Sequence, residues 1–420
     1  MMRTLNVWWE GRLVGVLSQN AQGDMGFAYG ADWLGRADAP ALSASLPKRA
    51  EAFGRRACRP FFGGLLPDEG QREAAARALG VSPGNDFALL DRLGGDVAGA
   101  LQLLPPGAMP QAPAVDAQPV PLDQAGLIRV LDALPLRPLL AGQEGLRLSL
   151  AGAQAKVPVV LVNGAIALPL PGQPTTHILK PPIARFPATT ENEAFAMRLA
   201  DAVGLDAAAV EARTVRDRTF LLVQRYDRAA SKTGLVSRIH QEDFCQALGL
   251  PAEIKYASEG GPTFKDCFAL LRRIAARPAT DLLNLLDAAI FNLMVGNADA
   301  HGKNFSILYD ERGPHLAPLY DLMTTVAYPE LSPKMAMKIG KRATLEEMTV
   351  RGWEAFAAES GLGAPLIRRR VAEIGEKVIA AANGVAQALA RPGFDADALA
   401  GYAALVTDRA TRCQGSALRT

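Results

Sequence analysis

The chain has 420 residues, of which 49% are hydrophobic, so it is long and apolar enough to bury a large core in about two or three domains. A formal net charge of +2 gives no reason to expect a polyanionic partner, and no apolar run approaches the roughly 18 residues of a membrane-spanning helix. The N-terminus lacks the apolar stretch of a signal peptide, and the four cysteines lack CxxC spacing. We therefore expect a cytoplasmic protein with buried, inert thiols and no membrane contact.

The first predicted domain, residues 1–104, begins with β-structure. Apolar and polar residues alternate over residues 5–17 on either side of Glu10 and Gly11, which predicts a β-hairpin. Residues 25–29 continue the same alternation and are predicted to form a third strand. Helical patterns follow over residues 67–79 and 86–93.

A break in composition ends this domain. Residues 105–121 contain six prolines and little apolar periodicity, which predicts a linker. The next region, 122–235, is rich in predicted strands, at residues 146–150, 157–162, 165–168, 176–180 and 219–223. Its predicted helices are a short one at 122–134 and an amphipathic one at 190–203 with Thr190 as N-cap.

The remaining region, 236–420, is predicted to be mostly helical, apart from β-like segments around residues 304–321. A β-rich lobe therefore precedes an α-rich lobe. This order is typical of the bilobal layout of kinases, so the predicted fold is α+β, bilobal and protein-kinase-like, with an additional β-rich N-terminal subdomain.

The most informative stretch is GNADAHGKN at residues 296–304, which follows an apolar helical run over residues 281–295. Asp299 precedes Asn304 by five positions, and Asp321 follows one predicted hairpin later. A phosphotransferase catalytic loop has this spacing, and its first carboxylate orients or deprotonates the acceptor hydroxyl. The Asn304 amide oxygen and the Asp321 carboxylate are hard ligands that suit Mg²⁺ bound to ATP phosphates. The alternative is a polar loop whose Asn and Asp side chains cap turns.

Two features upstream are compatible with the same chemistry. Residues 149–156 form a loop between predicted strands, and its backbone N–H groups could lie over phosphates, although with the single glycine Gly152 it could equally be an ordinary hairpin loop. Lys180 ends the third predicted strand after this loop, where an ammonium can neutralise phosphate charge, although lysines at strand ends are more often surface residues. Glu193 on the following helix could pair with Lys180 or could be an exposed helix glutamate.

Further residues have two interpretations each. The segment 223–226 is typical of an inter-lobe hinge, where backbone groups read adenine and Tyr226 covers the ring, or of a strand that runs into a turn. His301 could contact phosphate or fix the catalytic carboxylate, or it could be an ordinary structural or exposed histidine. Lys303 could steady the transferred phosphoryl group or be solvated. Ser149 is an ordinary strand serine or a site whose phosphorylation displaces the loop. Two carboxylates with an Asn also suit a Mg²⁺-dependent hydrolase, but the order of loop, lysine and hinge favours a kinase.

Together these residues resemble the HipA-like serine/threonine kinases, the toxin components of bacterial toxin–antitoxin modules. The matching stretches are SLAGAQAK (149–156), THILK (176–180), ENE (191–193), VQRYDR (223–228), QEDFCQ (241–246), KY (255–256), GGP (260–262), GNADAHGKN (296–304) and YD (320–321). The resemblance implies a family N-terminal subdomain over 1–104, a kinase N-lobe over 122–235 and a kinase C-lobe over 236–420.

The resemblance also implies roles for single residues. Asp299 corresponds to the catalytic aspartate, and Asn304 and Asp321 correspond to the Mg²⁺ ligands. The nucleotide-binding residues would be Gly152, Ala153, Gln154, Lys156, Lys180, Gln224, Tyr226, Gln241, His301, Lys303 and Asn304. Ser149 corresponds to an inhibitory autophosphorylation site, whose modification expels the phosphate loop and stops the kinase. ATP and Mg²⁺ are the cofactors that the resemblance implies.

Partners follow from the same resemblance. The family phosphorylates protein serines, in known cases on an aminoacyl-tRNA synthetase, which stalls translation and is linked to persistence. Its partner is a small helix-turn-helix antitoxin that binds operator DNA, with the kinase as co-repressor. The chain departs from the family at Gln224, where an acidic residue is common, and at Ala155, where a glutamate is frequent. The first change should be tolerated by a hinge that binds through its backbone, and the second bears on control of the loop.

Two rival functions remain beside a Mg²⁺·ATP-dependent serine/threonine kinase. A small-molecule phosphotransferase of the antibiotic type would need an acidic acceptor pocket for cationic substrates, and the sequence has no obvious acidic cluster. A non-catalytic, ATP-binding co-repressor on DNA would not need the four residues that transfer requires. All four are present, namely Lys180, Asp299, Asn304 and Asp321.

Overall fold

The computed structural model describes residues 2–111, 117–231 and 235–418. These residues fold into two units that each draw on several stretches of the chain. Unit 1 comprises Met1–Pro181, Gln224–Glu253 and Leu308–Asp310, and unit 2 comprises Pro182–Val223, Ile254–Ile307 and Glu311–Thr420. The domain limits given above follow sequence order and stay a prediction.

The secondary structure is mixed. The strands are β1 Arg3–Trp9, β2 Arg12–Gln19, β3 Met25–Tyr29, β4 Leu101–Leu104, β5 Val157–Val162, β6 Ala165–Ala167, β7 His177–Lys180, β8 Val210–Val215, β9 Arg218–Gln224, β10 Arg228–Ala230, β11 Val236–Arg238, β12 His240–Asp243, β13 Ser306–Asp310 and β14 Gly313–Leu316. The helices are α1 Ala31–Gly35, α2 Arg55–Gly64, α3 Glu69–Leu79, α4 Asp86–Leu93, α5 Gln124–Ala133, α6 Thr189–Ala202, α7 Phe244–Leu248, α8 Phe264–Ile274, α9 Pro278–Val295, α10 Val350–Ser360, α11 Ala364–Leu389 and α12 Ala396–Ser416.

Unit 1 begins with an antiparallel sheet of strand order β3-β2-β1-β4. Alternate residues of β1 and β2 are buried, among them Leu5, Val7 and Leu17, because one face of the sheet packs on the core. Glu10 and Gly11 have φ angles of 48° and 74°, the left-handed values that a two-residue hairpin turn of this kind requires. The predicted hairpin and third strand are therefore confirmed, and β4 adds a fourth strand.

A second antiparallel group in unit 1 consists of β5 flanked by β6 and β7. Asn163 and Gly164, with φ angles of 51° and 82°, form the two-residue turn between β5 and β6. The predicted linker contains neither helix nor strand in its described parts, 105–111 and 117–121, whereas residues 112–116 lie outside the described residues. The helix predicted after the linker is α5.

The strand predicted over residues 146–150 is wrong. A single parallel bridge joins Leu148 to Asp96, and the N–H of Ser149 donates to the Asp96 carbonyl at 2.9 Å. Leu148 and Leu150 are both buried. The alternating leucines therefore reflect burial against an irregular segment and not a place in a sheet.

Unit 2 is built around α9, whose residues Leu285, Leu286, Ile290 and Phe291 have no solvent exposure. A helix that is apolar on most sides is buried, and α8, α11 and α12 pack against this one. β8 and β9 form an antiparallel hairpin. Within the described ranges, no helix is long and apolar enough to cross a membrane.

The start of α6 differs from the predicted cap. Ala188 precedes the helix with a left-handed φ of 50° and offers no capping side chain. The Thr189 hydroxyl accepts a hydrogen bond from the Ile183 N–H at 2.8 Å, whereas Thr190 is buried inside the first turn. The prediction of Thr190 as N-cap is therefore wrong, because the turn before the helix uses its neighbour. Gly204, with φ of 85°, follows the helix at its other end.

A buried ion network in unit 1 joins segments that are distant in sequence. Three guanidinium groups donate to the Asp96 carboxylate, those of Arg225 at 3.3 Å, Arg228 at 2.9 Å and Arg238 at 2.7 Å. Burial alone would raise the pKa of Asp96, but these guanidinium groups, Arg228 first, hold it below its ordinary value. Asp227 pairs with Arg225 beside them, at 2.7 Å. Removing one member would leave a buried charge uncompensated.

A second buried carboxylate, Glu242, lies in β12, the strand that also contains Gln241. Its oxygens accept hydrogen bonds from the Ala44 N–H at 2.9 Å and from the Ser43 and Tyr309 hydroxyls. Burial raises the pKa of Glu242 to about 7, although these hydrogen bonds act in the opposite direction. The folded chain therefore binds this proton more tightly than the unfolded chain does.

The variant Glu242→Gln tests whether the Glu242 carboxyl has this raised pKa. A carboxyl with a raised pKa contributes fully to the stability of the fold at pH values below its pKa in the unfolded chain. This contribution is lost as the pH rises through its pKa in the folded chain. Between pH 5 and 8 the free energy of unfolding of the wild type should fall by about 2 to 3 kcal/mol relative to the variant. Urea titrations of both chains across this range measure the difference, and parallel pH dependences would contradict the raised pKa.

Candidate active site

A left-handed glycine fixes the loop that follows α9. Gly296 has a φ of 72°, and a Cβ at this position would collide with the Val326 side chain, so glycine is required. The Thr325 hydroxyl accepts from the Ala298 N–H at 2.8 Å and donates to the Gly296 carbonyl at 3.0 Å. The loop backbone is therefore set before any charged side chain is considered.

Asp299 is exposed on this loop, between the buried residues Ala298 and Ala300. Its Oδ1 accepts a hydrogen bond from the Tyr256 hydroxyl at 2.9 Å, and its carbonyl accepts from the His301 N–H at 2.7 Å. A general base must be able to reach an incoming hydroxyl group. An exposed carboxylate on a fixed backbone meets that requirement.

The two predicted metal ligands are in contact. The Asn304 amide donates to Asp321 Oδ2 at 3.2 Å, and its Oδ1 accepts from the His301 N–H at 3.2 Å. Asp321 has a φ of 59°, a left-handed value that is uncommon outside glycine and often found at functional sites. Lys303 is buried, and its carbonyl accepts from the Tyr320 hydroxyl at 2.6 Å. Unit 2 thus brings Asn304, Asp321, His301 and Lys303 together near Asp299.

The chemistry of these donors fits Mg²⁺. A carboxylate adjoins a carboxamide here, and in the described part of the chain no group of three or more His, Cys, Asp or Glu could hold a metal. Mg²⁺ retains waters and takes ligands from substrate phosphates, so one or two protein oxygens suffice. Asn304 and Asp321 would hold the ion, whose charge would offset that of the bound phosphates.

Ser149, in unit 1, is fully buried. Its relative exposure is 0%, and its Oγ donates to the Leu65 carbonyl at 2.7 Å. Its N–H is held by the Asp96 carbonyl. A hydroxyl in this position cannot meet a phosphate donor unless the segment moves. A phosphorylated side chain would not return to the same place, because burying its charge without partners is costly.

The glycine loop folds back on its own lysine. The Lys156 ammonium donates to the Ala151 carbonyl at 2.8 Å and packs so closely on Gly152 that a Cβ there would collide with it. Gly152 has a φ of 115°, which favours glycine. Because residues 146–150 are not a strand, the predicted position of this loop between two antiparallel strands is wrong.

Lys180 ends β7 and is only 6% exposed, so the alternative of a surface lysine is excluded. The next carbonyl, that of Pro181, accepts from Gln154 Nε2 at 3.1 Å and ties the glycine loop to the end of β7. Ala153, the residue before Gln154, is exposed. Glu193 in α6 is 2% exposed, which excludes the alternative of an exposed helix glutamate.

The predicted hinge residues follow β9. Gln224 is exposed at the end of this strand, and Tyr226 is partly exposed, so Tyr226 is not a core residue. The Tyr226 hydroxyl donates to Gln241 Oε1, and Gln241 Nε2 donates to Asp227 Oδ2 at 3.0 Å. Unit 1 therefore brings Tyr226 and Gln241 together, although they are distant in sequence.

Two features lie outside the predicted site residues. Tyr256, which bonds to Asp299, belongs to a stretch that resembles the family, but the sequence assigns it no role. The following Gly260 and Gly261 are the signal in the sequence that a tight turn brings this segment close to another backbone. Nothing near Asp96 in the sequence indicates its ion pairs, because its partner Arg238 is 142 positions away.

Two family descriptions match the chain. The HipA N-terminal domain matches residues 5–104. The HipA-like C-terminal domain matches residues 148–385, which is more than half of the chain. The two matched ranges contain every site residue discussed above.

Relatives extend this similarity. The chain is 67% identical to the Sinorhizobium fredii protein Y4mE, which carries the name of a kinase, over 96% of this chain and 99% of that protein. It is 29% identical to the serine/threonine-protein kinase toxin HipA of Shewanella oneidensis, over 84% of this chain and 82% of that protein. Among solved structures, it is similar to a chain of the toxin–antitoxin system HipA, HipB and operator DNA complex of Shewanella oneidensis MR-1, with a TM-score of 0.86, 28% identity and 98% of both chains covered.

Asp321→Asn tests the metal assignment. This change preserves the size of the side chain but removes the charge that holds Mg²⁺. The Mg²⁺ concentration for half-maximal binding of a fluorescent ATP analogue should therefore rise at least about tenfold. Glu311→Gln, an exposed carboxylate in the turn between β13 and β14, removes the same charge elsewhere and should leave the midpoint unchanged. An unchanged midpoint in Asp321→Asn would overturn the assignment.

Proposed function

The chain belongs to the HipA family of kinases and has a protein-kinase-like fold, and from this premise we propose that it is a serine/threonine kinase of a bacterial toxin–antitoxin module. The reaction transfers the γ-phosphoryl group of ATP to a protein hydroxyl. The observation that carries this proposal is the loop of residues 296–304, where an exposed Asp299 precedes an Asn304 in contact with Asp321.

Asp299 acts on the acceptor. It takes the proton of the acceptor hydroxyl as that oxygen attacks the γ-phosphorus, and the bond from phosphorus to ADP breaks. Transfer of this kind needs little covalent chemistry from the protein, so position and charge supply most of the catalysis. Gly296 fixes the backbone before Asp299, so the carboxylate has a defined position, and this supports the role of Asp299 as general base.

We assign the nucleotide to the residues that the family resemblance implies. Lys180, Lys156 and Lys303 carry the positive charge for the phosphates, and the backbone of the glycine loop at Gly152, Ala153 and Gln154 adds N–H donors. Gln224, Tyr226 and Gln241 are assigned to the base, and His301, Asn304 and Asp321 to the phosphates and Mg²⁺. Lys180 lies at the end of β7, next to the Pro181 carbonyl that holds Gln154 of the glycine loop, and this position supports its assignment.

We propose further that the kinase limits itself by phosphorylating Ser149. The serine must leave its buried site to react, and the phosphate then carries close to two negative charges. Return to the site would place those charges beside the Leu65 carbonyl, an acceptor that repels them. The glycine loop, which begins directly after this serine, would stay displaced and lose its contact with the nucleotide phosphates.

The proposed partners come from the family. The acceptor would be a protein serine, as in an aminoacyl-tRNA synthetase, and a helix-turn-helix antitoxin would join the kinase to operator DNA. The similarity to a chain of the HipA, HipB and operator DNA complex, which covers 98% of this chain, supports this assembly. The proposed domains are an accessory subdomain (1–104), a linker (105–121), an N-lobe (122–235) and a C-lobe (236–420).

Asp299→Ala tests the proposed transfer. The wild-type chain, incubated with Mg²⁺ and γ-labelled ATP in a cell extract, should label proteins, including itself. Loss of the general base should lower this labelling about a hundred- to ten-thousandfold while ATP binding is retained. Asp217→Ala, at an exposed turn, is the matched control and should label normally.

The other outcomes separate the rivals. Label found in small molecules instead of proteins would favour an antibiotic-type phosphotransferase. ATP binding without any label would favour a non-catalytic co-repressor. Normal labelling by Asp299→Ala would contradict the assigned catalytic residue.

A further inference from the structure

Tyr256 is the residue that contacts the exposed carboxylate of Asp299. Its hydroxyl donates to Asp299 Oδ1 at 2.9 Å, and its ring packs edge-on against His301 with centroids 5.3 Å apart. The Lys255 ammonium lies 5.3 Å from the centre of the same ring. Tyrosine hydroxyl to carboxylate is a charge-assisted hydrogen bond, which is stronger and more directional than a neutral one.

The backbone around Tyr256 is tightly held. Its carbonyl accepts from the N–H groups of Glu259 at 3.0 Å and Gly261 at 2.9 Å. A Cβ on Gly261 would lie 2.7 Å from the Tyr256 carbonyl oxygen, so the turn requires glycine. The position of the phenol is therefore determined by the turn and not by a mobile loop end.

This turn is also joined to the catalytic loop through backbone hydrogen bonds. The Lys255 carbonyl accepts from the Gly302 N–H at 3.3 Å. Ala336 links the two segments, because its carbonyl accepts from Ala257 at 3.3 Å and its N–H donates to Ala298 at 2.7 Å. Tyr256 and Asp299 thus belong to one hydrogen-bonded arrangement inside unit 2.

We propose that Tyr256 is a positioning residue for the phosphotransfer, an inference that rests on the proposed kinase function. Its phenol occupies Oδ1 of Asp299 and orients the carboxylate, so that Oδ2 meets the acceptor hydroxyl. When the acceptor oxygen bonds to the γ-phosphorus and ADP leaves, the hydroxyl proton passes to Oδ2 and then to solvent. The phenol keeps its own proton throughout. Without it, the exposed aspartate would lose a contact that selects its rotamer.

Tyr256→Phe removes this hydroxyl and keeps the ring on His301. The test follows phosphate incorporation into the chain by intact mass at several concentrations of Mg²⁺·ATP. The maximal rate should fall about ten- to hundredfold while the ATP concentration for half-maximal rate stays within about twofold. A merely structural role would change ATP binding and thermal stability together with the rate, so the thermal midpoint is recorded for both chains.

Tyr402→Phe is the matched control. Tyr402 is a buried tyrosine of the same unit whose hydroxyl bonds to the Ala188 carbonyl and to Tyr328, both at 3.4 Å. Loss of this hydroxyl should leave the maximal rate within about twofold of the wild-type rate. Tyr256→Ala, which also removes the ring from His301, should be at least as slow as Tyr256→Phe.

The contrary outcomes are distinct. An unchanged maximal rate in Tyr256→Phe would show that the phenol does not position Asp299. A faster rate would show that it blocks the acceptor site, which also overturns the proposal. A wild-type chain that binds ATP and transfers no phosphate would refute the proposed kinase function itself, and the role of Tyr256 with it.

Discussion

Three guanidinium groups share one buried carboxylate, that of Asp96. These ion pairs constrain several segments of unit 1 together. Asp96 lies in the range matched by the HipA N-terminal domain, whereas Arg225 lies in the predicted hinge and Arg228 and Arg238 follow it. Its backbone carbonyl also holds the N–H of Ser149. A buried carboxylate is costly without its partners. The N-terminal region, the segment before the glycine loop and the segment after the hinge therefore fold as parts of the same unit.

Backbone hydrogen bonds hold the loop of unit 2. Gly296 sets the direction of the chain, and the hydroxyl of Thr325 bonds to the Gly296 carbonyl and to the Ala298 N–H. The Ala298 carbonyl also accepts a hydrogen bond from the Ala336 N–H. The His301 side chain also takes part, because it accepts from the Asn304 N–H. In the proposed reaction, this fixed backbone presents the exposed carboxylate of Asp299 to the acceptor.

Local chemistry determined what could be predicted from the sequence. The turn at Glu10 and Gly11 is a signal carried by adjacent residues, so it could be predicted. The spacing of Asp299 and Asn304 is a signal of the same kind, and their roles stay a proposal. The errors arose where distant contacts decide the outcome. Residues 146–150 alternate like a strand but bridge to Asp96, and Thr190 resembles a cap although the turn before α6 uses its neighbour. No pattern in the sequence indicates that Tyr256 bonds to a carboxylate 43 positions away.

The proposal depends most on the fate of Ser149 during turnover, because a buried serine becomes a phosphate acceptor only if its segment leaves the fold. The decisive measurement is a time course of the wild-type chain in Mg²⁺·ATP, with the phosphorylated peptide mapped and residual ATP binding measured at each point. We predict one phosphate, on Ser149, and a loss of ATP binding in proportion to it. Complete modification of Ser149 with undiminished ATP binding, or phosphate that accumulates only elsewhere, would contradict a kinase that limits itself in this way.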